Sequence, residues 1–409
     1  MQSGQHHTVG VNKPDKKLRP WIYIGILVLT ALAVAFAIWW SVQQTPEQMV
    51  QSEPPIEQAV QDQPLVVPKI ATEVVLGGRE HIWDIGFLPT KEMIFTERGG
   101  KISAFVDGQV RELANVDDVK VGGEGGLLGL AIDPDFANNR LIYTCYDSTS
   151  GDVRVVKFKI NDQLNGLQGK TDVVTGIPAN PSGRHSGCRV AFGLDGYLWV
   201  ATGDAAMNGT IPQDPESLGG KILRVDREGN AAPGNLGGEF DARIFSYGHR
   251  NSQGLAFFSE PINGIQGISV EHGSYQDDEL NPLLPGNFGW SPGAGYNELG
   301  VPMTDKSRFT DAVSAIWSSG ETTIAPSGAA ILQGQNWGLW QGRVAVSVLK
   351  DKHVRLFELD KDLKLVSELE LFKNEFGRLR AATLGPDNAL YISTSNGNDD
   401  KIIRVFTTD

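Results

Sequence analysis

Two different patterns of hydrophobic and polar residues divide the chain. Near the N-terminus, residues 21–40 (WIYIGILVLTALAVAFAIWW) form an unbroken apolar segment, and no charged residue occurs between Arg19 and Glu47. After residue 69, short apolar runs alternate with turns rich in Pro, Asp, Asn and Gly. The first pattern predicts a membrane-spanning helix, and the second predicts a succession of short β-strands.

The strand pattern repeats along the chain as a unit of an apolar strand, a turn and a second strand. Six such units begin at Ile85, Leu130, Val190, Leu255, Gly328 and Ala382, with a spacing of about 45 to 75 residues. A sandwich or a barrel is also rich in strands, but neither explains the internal repetition. We therefore predict an all-β fold in which residues 69–409 form a six-bladed β-propeller.

The apolar segment is long enough to span a bilayer as one helix. Basic residues precede it (Lys13, Lys16, Lys17 and Arg19), which predicts a cytoplasmic segment 1–19, a transmembrane anchor 20–42 and an exterior location for the rest of the chain. The alternative is a cleaved signal peptide, whose apolar core is shorter. Residues 43–68 are rich in Gln, Pro and Glu, a composition typical of a flexible linker. The protein is thus expected at the inner or plasma membrane, with the propeller in the periplasm or outside the cell.

Composition and charge restrict the function. The formal net charge of −13 argues against a nucleic-acid partner, because binding to phosphate requires a concentrated basic surface. The two cysteines, Cys145 and Cys188, are compatible either with one disulfide or with two buried thiols. Without a CxxC pair, they do not indicate a cysteine metal site.

Polar clusters interrupt the apolar pattern beside the predicted strands. They contain Glu124, His185, the run His249-Arg250-Asn251, the segment Glu271–Asn281, Lys350, Arg378 and Arg380. Six clusters of this kind are what a site at the axis of a propeller requires. Together, the four basic residues of these clusters, Arg250, Lys350, Arg378 and Arg380, favour an anionic ligand. A single basic residue of this kind is also typical of a solvated surface. The acidic run 276–279 offers oxygen ligands for Ca²⁺, or forms a solvated turn.

Five stretches of the sequence, four of which contain one of these clusters, resemble the pyrroloquinoline quinone (PQQ)-dependent glucose and aldose sugar dehydrogenases in the same order along the chain. These enzymes form the glucose/sorbosone dehydrogenase family of six-bladed propellers. The five stretches are HSGCRVAFGLDGYLWVATGD, SYGHRNSQGLAF, EHGSYQDDELN, TIAPSGAA and GRLRAATLGPDNALYISTS. The resemblance extends over residues 75–407. It implies oxidation of the C1 hydroxyl of an aldose to the lactone, with hydride transfer to PQQ.

The resemblance also implies roles for individual residues. His185 matches the catalytic base, and Arg250 and Asn251 match residues at the quinone edge of PQQ. Lys350, Arg378 and Arg380 match residues that hold the carboxylates and ring oxygens of PQQ. The carbonyls of Gly273 and Ser274 match ligands of the Ca²⁺ that contacts PQQ, Asp278 and Glu279 lie beside a second Ca²⁺, and Glu124 lies on the substrate side.

Within the stretch that contains His185, we assign residues 183–189 to the loop that presents the imidazole and residues 190–204 to the blade repeat. Three positions depart from the family pattern: Arg184 stands in place of Asp, Ala205 in place of Gln and Ser274 in place of Pro. These changes leave the sugar unspecified. The electron acceptor is not visible in the sequence, and a membrane quinone or a cytochrome is compatible with it.

Two other functions fit a propeller. One is a non-catalytic propeller that binds a carbohydrate or a protein at the exterior, but His185 together with four basic residues argues against it. The other is a calcium-dependent lactonase or esterase, which requires carboxylates along the axis where this chain has Arg and Lys.

Overall fold

Short strands form nearly all the regular structure in residues 66–408, the part of the chain that the computed structural model describes. The first thirteen strands are β1 (Lys69–Arg79), β2 (Ile82–Phe87), β3 (Met93–Glu97), β4 (Lys101–Val106), β5 (Gln109–Asn115), β6 (Leu127–Ile132), β7 (Leu141–Asp147), β8 (Asp152–Ile160), β9 (Leu167–Pro178), β10 (Gly187–Phe192), β11 (Leu198–Thr202), β12 (Lys221–Val225) and β13 (Ile244–Tyr247). The remaining strands are β14 (Ser252–Ile262), β15 (Ile265–Glu271), β16 (Glu279–Pro282), β17 (Gly286–Asn287), β18 (Trp317–Ser318), β19 (Pro326–Ile331), β20 (Val344–Val348), β21 (His353–Leu359), β22 (Leu365–Leu371), β23 (Leu379–Leu384), β24 (Leu390–Thr394) and β25 (Asp400–Thr408). One short helix, α1 (Phe136–Asn139), and two 3₁₀ helices, Ile211–Gln213 and Gln335–Trp340, lie between strands.

The strands form six sheets, which are the blades of the propeller. Blade 1 contains β2 to β5, blade 2 contains β6 to β9, and blade 5 contains β19 to β22. Blade 3 contains β10 to β13 with β17 added in parallel to β13, and blade 4 contains β14, β15, β16 and β18. Blade 6 consists of β23, β24 and β25, and its outer strand is β1, which pairs antiparallel with β25. The first strand of the propeller thus completes the last blade and closes the ring.

The innermost strands of the blades, β2, β6, β10, β14, β19 and β23, contact one another in a closed circle. Glycines allow some of these neighbours to approach closely. A Cβ atom at Gly129 of β6 would lie 2.4 Å from the carbonyl oxygen of Cys188, and one at Gly254 of β14 would lie 2.2 Å from that of Ser327. Both distances are shorter than van der Waals contact, so any side chain at these positions would push the inner strands apart.

The hydrophobic core is divided between the blades. Six clusters of buried residues occur, and each joins two adjacent blades. Between blades 3 and 4, for example, Trp199 packs edge to face on Phe245 and Phe257. A blade therefore buries both of its faces only when its two neighbours are present, which is the physical reason for the repetition in the sequence.

Each predicted unit coincides with the first two strands of one blade, so the prediction of a six-bladed propeller is confirmed. The predicted anchor, residues 20–42, lies outside the described residues, as do most of the predicted linker and the cytoplasmic segment. Within residues 66–408, no helix is both long enough and apolar enough to cross a membrane.

Candidate active site

The predicted site residues lie at one face of the ring, where the inner strands begin. Glu124 precedes β6, His185 precedes β10, Arg250 and Asn251 precede β14, residues 273–278 join β15 to β16, Lys350 lies between β20 and β21, and Arg378 precedes β23. Arg380 is the second residue of β23. Loops from blades 2 to 6 thus contribute to one surface around the axis, as the sequence predicts.

His185 forms a hydrogen-bonded pair with Asp204. The Nδ1 atom of His185 lies 2.8 Å from Oδ1 of Asp204, and both side chains are almost fully buried. Burial disfavours the carboxylate, but hydrogen bonds from His185 and Tyr296 favour it more strongly and hold the pKa of Asp204 below its usual value. The neutral imidazole that donates its Nδ1–H to ionised Asp204 carries no proton on Nε2, which has no hydrogen-bond partner among residues 66–408. The pair has the geometry of a general base and its orienting carboxylate.

Two aromatic residues complete the environment of Asp204. The indole Nε1 of Trp290 and the hydroxyl of Tyr296 both donate to Oδ2 of Asp204, at 2.8 and 2.5 Å. Both belong to the long connection 288–316 between β17 and β18, which the strand repeat does not predict. Residues 190–204 do contain most of the β10–β11 hairpin, as predicted, but Asp204, two residues after β11, also binds His185.

The same connection supplies Glu298, which lies between two arginines. Its Oε1 accepts a hydrogen bond from Nε of Arg250 at 2.7 Å, and its Oε2 pairs with Arg184. Arg250 is 5% exposed and also donates to the carbonyl of His272 at 3.0 Å. Glu298 therefore fixes the guanidinium of Arg250 beside His185 and neutralises part of the charge of Arg184.

On the other side of the site, Asn251 joins three elements. Its Nδ2 donates to Glu124 at 2.8 Å, and its Oδ1 accepts a hydrogen bond from the backbone N–H of Gly187 at 3.1 Å.

Burial opposes ionisation of Glu124, but nearby His185 and His272 and the hydrogen bond from Asn251 lower its pKa. Burial lowers the pKa of His272 to about 4 against the opposing effect of Glu124, so His272 is neutral at physiological pH. Its Nε2 donates to the carbonyl of Pro326 at 2.7 Å.

These groups surround a cavity of about 250 Å³. Its walls contain Glu124, Arg184, His185, Arg250, Asn251, His272, Gly273, Ser274, Asp278, Thr323 and Ala325. A larger groove of about 550 Å³, lined by residues 208–210, 213–215, 291–295, Arg308 and Phe309, contains none of the predicted site residues. The smaller cavity is the candidate active site, because it combines the His185–Asp204 pair with two charged residues of opposite sign, Arg250 and Glu124.

The four predicted basic residues differ in burial. Arg250 and Arg380 are buried, whereas Lys350 and Arg378 are exposed. The Nζ atom of Lys350 donates at 2.8 Å to Thr323, a residue of the cavity wall. Nη1 of Arg380 donates to Gln253 at 2.8 Å, but its buried Nε has no acceptor among residues 66–408. Burial and the nearby Arg189 lower the pKa of Arg380, whose guanidinium nevertheless stays charged.

A buried polar layer lies on the inner strands next to Arg380, and the polar clusters of the sequence do not reveal it. The guanidinium of Arg189 lies 4.1 Å from the ring centre of Trp83 and pairs with Asp84, and its Nε donates to the carbonyl of Gln253. Arg380 lies over the same Trp83 ring at 5.4 Å. Trp83 of β2 and Gln253 of β14 thereby hold Arg380 of β23 at the axis.

Of the residues predicted as metal ligands, Gly273, Ser274 and Asp278 lie in one loop of the cavity wall. The carboxylate of Asp278 accepts three backbone N–H groups, from Gly273 (2.8 Å), Ile324 (2.5 Å) and Ala325 (2.7 Å). Burial raises the pKa of Asp278 to about 6 despite these bonds. Asp278 thus holds two loops together and keeps the carbonyls of Gly273 and Ser274 beside the cavity.

Glu279 belongs to a separate buried cluster. It pairs across the sheet with Glu271, and Asn281 donates to both carboxylates, at 3.1 and 2.7 Å. Burial and the charge of Glu271 raise the pKa of Glu279 well above its usual value. The Oδ1 atom of Asn281 is buried and has no donor among residues 66–408. Two carboxylates and an unpartnered amide oxygen are a donor set that suits a hard cation.

Cys145 and Cys188 form a disulfide between β7 of blade 2 and β10 of blade 3. Cys188 lies three residues after His185, and both cysteines are fully buried. Of the two alternatives that the sequence allows, the structure has the disulfide.

The comparisons with known proteins agree with this fold. The model of the Glucose / Sorbosone dehydrogenase family matches residues 79–404. The chain belongs to this family. An aldose sugar dehydrogenase of Escherichia coli is 30% identical over 345 residues, which cover 81% of this chain and 91% of that protein. A quinoprotein glucose dehydrogenase of Acinetobacter calcoaceticus is 26% identical over 405 residues, covering 76% of this chain and 83% of that protein.

A solved structure of a glucose/sorbosone dehydrogenase relative supports the same assignment. The PQQ-bound aldose sugar dehydrogenase of Streptomyces coelicolor superimposes with a TM-score of 0.69 at 29% identity, and the match covers 83% of this chain and all of that chain. The family that the sequence motifs resemble is therefore confirmed as the family of this protein.

Proposed function

We propose that the protein is a PQQ-dependent aldose sugar dehydrogenase that oxidises the C1 hydroxyl of its substrate to the lactone. The observation that carries the proposal is the buried His185–Asp204 pair, in which His185 lines a cavity together with Arg250 and Glu124. Membership of the glucose/sorbosone dehydrogenase family supports it.

In this reaction PQQ supplies the acceptor for the hydride of C1. Nε2 of His185 takes the proton of the C1 hydroxyl, and Asp204 stabilises the imidazolium that forms. Arg250, held by Glu298 and the carbonyl of His272, places a fixed positive charge where the cofactor becomes more negative. Glu124, oriented by Asn251, accepts hydrogen bonds from sugar hydroxyls.

The basic residues fit an anionic cofactor such as PQQ. Nε of Arg380 is a buried donor that lacks an acceptor within residues 66–408, which is the situation expected where a ligand supplies a carboxylate or carbonyl oxygen. We assign Arg378 and Lys350, both exposed, to the outer part of the same cofactor, and Asn251 to its quinone edge.

The oxygen donors fit calcium at two places. The carbonyls of Gly273 and Ser274 lie in the cavity wall and suit a Ca²⁺ that contacts PQQ, whereas Glu279, Glu271 and Asn281 suit a structural Ca²⁺. The carboxylate of Asp278 is engaged by backbone N–H groups, so we assign it the role of shaping the first site.

We also propose that residues 20–42 anchor the propeller outside the cytoplasm and that electrons pass to a membrane quinone or a cytochrome. The apolar segment with its preceding basic residues supports the anchor. The disulfide supports an oxidising compartment, since cytosolic proteins rarely keep one.

The function is tested with the full-length protein, reconstituted with PQQ and Ca²⁺, on a panel of aldoses with an artificial electron acceptor. The expected result is PQQ-dependent reduction of the acceptor with at least one aldose and formation of the corresponding lactone. Binding of neither PQQ nor any aldose would refute the proposal and favour a propeller that binds another partner.

Replacement of Arg380 by Gln should weaken PQQ binding by about 10- to 100-fold, because it removes a charged donor from a buried site. The measurement is a titration of the apoprotein with PQQ by calorimetry. Arg343→Gln is the matched control, since Arg343 lies at the opposite face and pairs with Glu358. An unchanged PQQ affinity in Arg380→Gln would show that Arg380 does not hold the cofactor.

Calcium should stabilise the protein more strongly at pH 8 than at pH 6. The raised pKa means that folded Glu279 keeps a proton that the unfolded chain releases, so this group destabilises the fold as the pH rises above the usual pKa of Glu. Ca²⁺ must displace this proton, which is easier at the higher pH. At a fixed calcium concentration 100 times the Kd at pH 8, the expected gain at pH 8 is about 2.7 kcal/mol, measured by chemical unfolding, and the gain at pH 6 is smaller. Glu279→Gln should remove most of the pH dependence, and a gain independent of pH in the wild type would contradict the assignment.

A further inference from the structure

Lys221, the first residue of β12, is fully buried behind the site. Its ammonium group donates to three backbone carbonyls, those of Ile211 (2.8 Å), Pro212 (3.1 Å) and Gly219 (2.8 Å). An ammonium has three protons, so every donor of Lys221 is used. The three carbonyls belong to the connection 203–220, in which Asp204 is the second residue after the end of β11. Lys221 therefore ties the first two residues of the 3₁₀ helix Ile211–Gln213 to Gly219, near the end of this connection.

The 3₁₀ helix is linked in turn to the residues that orient His185. The side-chain amide of Gln213 donates to the carbonyl of Trp290 at 2.9 Å and exchanges two hydrogen bonds with Asn287, at 3.0 and 2.9 Å. These bonds fix the start of the connection 288–316. The indole of Trp290 donates to Asp204, and Asp204 binds His185.

Backbone hydrogen bonds also join the connection 203–220 to the residues around His185. The N–H of Gly220 donates to the carbonyl of Gly203 at 2.9 Å, and the N–H of Asp204 donates to the carbonyl of Arg250 at 2.8 Å. The N–H of His249 donates to the carbonyl of Gly220 at 3.1 Å. The connection held by Lys221 thus carries both Asp204 and the backbone of Arg250.

We propose that Lys221 is a positioning residue for the acid–base pair, acting on His185 through Gln213, Trp290 and Asp204. This inference rests on the proposed dehydrogenase function. No apolar residue can replace the ammonium, because three converging carbonyls would be left buried without donors. The 3₁₀ helix would then shift, and the indole of Trp290 would leave Asp204.

The charge of Lys221 is opposed by its surroundings. Burial lowers the pKa of Lys221 to about 7, although Asp214 and Asp204 act in the opposite direction. A neutral amine has only two N–H donors, so bonding to all three carbonyls requires the protonated form, in spite of the opposing effect of burial.

The test compares full-length wild type with Lys221→Met. We expect kcat to fall by about 10- to 100-fold, since small displacements of a catalytic group cost this much, while KM for the aldose and the affinity for PQQ stay within twofold. A second measurement needs no PQQ: the Nδ1 proton of His185, bound to Asp204, should give a low-field ¹H resonance in ¹⁵N-histidine-labelled apoprotein. In Lys221→Met this resonance should move upfield or disappear.

Lys157→Met is the matched control. Lys157 is also buried, and its Nζ donates to the carbonyl of Arg227 and to Glu228, away from the site. Its replacement should lower stability and leave both kcat and the His185 resonance unchanged. If Lys221→Met does not fold, Gln213→Leu breaks the next link and should produce the same two effects.

A folded Lys221→Met or Gln213→Leu protein with wild-type kcat and an unchanged resonance would overturn the proposal. Should the wild type oxidise no aldose at all, the proposed function fails, but the resonance of His185 still decides whether Lys221 positions the pair.

Discussion

Replacing His185 by Gln is expected to lower kcat by about 10³-fold, within the range for loss of a general base. The side chain of Gln is similar in length and can still donate to Asp204, so the loop should keep its conformation. What is lost is a nitrogen that accepts a proton at neutral pH. PQQ binding should stay within a few-fold of wild type, because the basic residues assigned to the cofactor are unchanged.

The measurement is steady-state oxidation of the best aldose, together with a PQQ titration of each variant. His353→Gln is the control, since His353 is a buried histidine of blade 5 that contacts Asp351 and Arg355 rather than the cavity. Asp204→Asn should reduce kcat less than His185→Gln does, because the base remains but its tautomer is no longer fixed. Wild-type kcat in His185→Gln would show that another group takes the proton.

Removing the disulfide is expected to cost about 4 kcal/mol of unfolding free energy. Cys145 and Cys188 are separated by 43 residues, and a closed loop of this length restricts the unfolded chain by about this amount. The cost should appear mainly as stability, but Cys188 lies so close to His185 that a smaller loss of kcat is also expected.

The double variant Cys145→Ala/Cys188→Ala is compared with oxidised wild type by urea unfolding. Wild type unfolded with a reductant present controls for the small cavity that the two alanines leave. A difference below about 1 kcal/mol in both comparisons would contradict the expected contribution of the crosslink.

The propeller could be predicted from the sequence because every blade needs the same pattern of apolar strands and tight turns. Each inner hairpin needs an apolar strand, a tight turn and a second apolar strand, and this requirement leaves a recognisable pattern at Ile85, Leu130 and the other unit starts. The loops at the start of the inner strands could be placed for the same reason, since the repeat fixes where each strand begins.

The partners of His185 could not be predicted in this way. Asp204 becomes a partner only through the register of β10 and β11, in which Gly187 pairs with Thr202. Trp290, Tyr296 and Glu298 come from a connection without periodicity, so no pattern places them beside the axis. The aromatic and glycine-rich composition of residues 288–300 was the available signal, because such a long insertion between strands is often functional.

Which of the four basic residues are buried could not be predicted from the sequence either. Arg378 and Arg380 are two residues apart, yet one is exposed and the other is held over Trp83 at the axis. Only the geometry of the ring separates them. The same holds for the run Gln276–Glu279, where Asp278 holds loops through backbone N–H groups and Glu279 joins a different cluster.

The pairing of β1 with β25 determines the order in which the protein can assemble during synthesis. Blades 1, 2 and 5 are each made from consecutive strands, and blades 3 and 4 depart from this order only by β17, so each of the five can form soon after its own segment has emerged. Blade 6 requires Lys69 to meet Thr408, and the first strand must therefore wait until the rest of the propeller has been made. Contacts across so long a loop form slowly. Until then β1 offers an unpaired edge, so this interval is when the nascent protein is most exposed to aggregation and most dependent on chaperones.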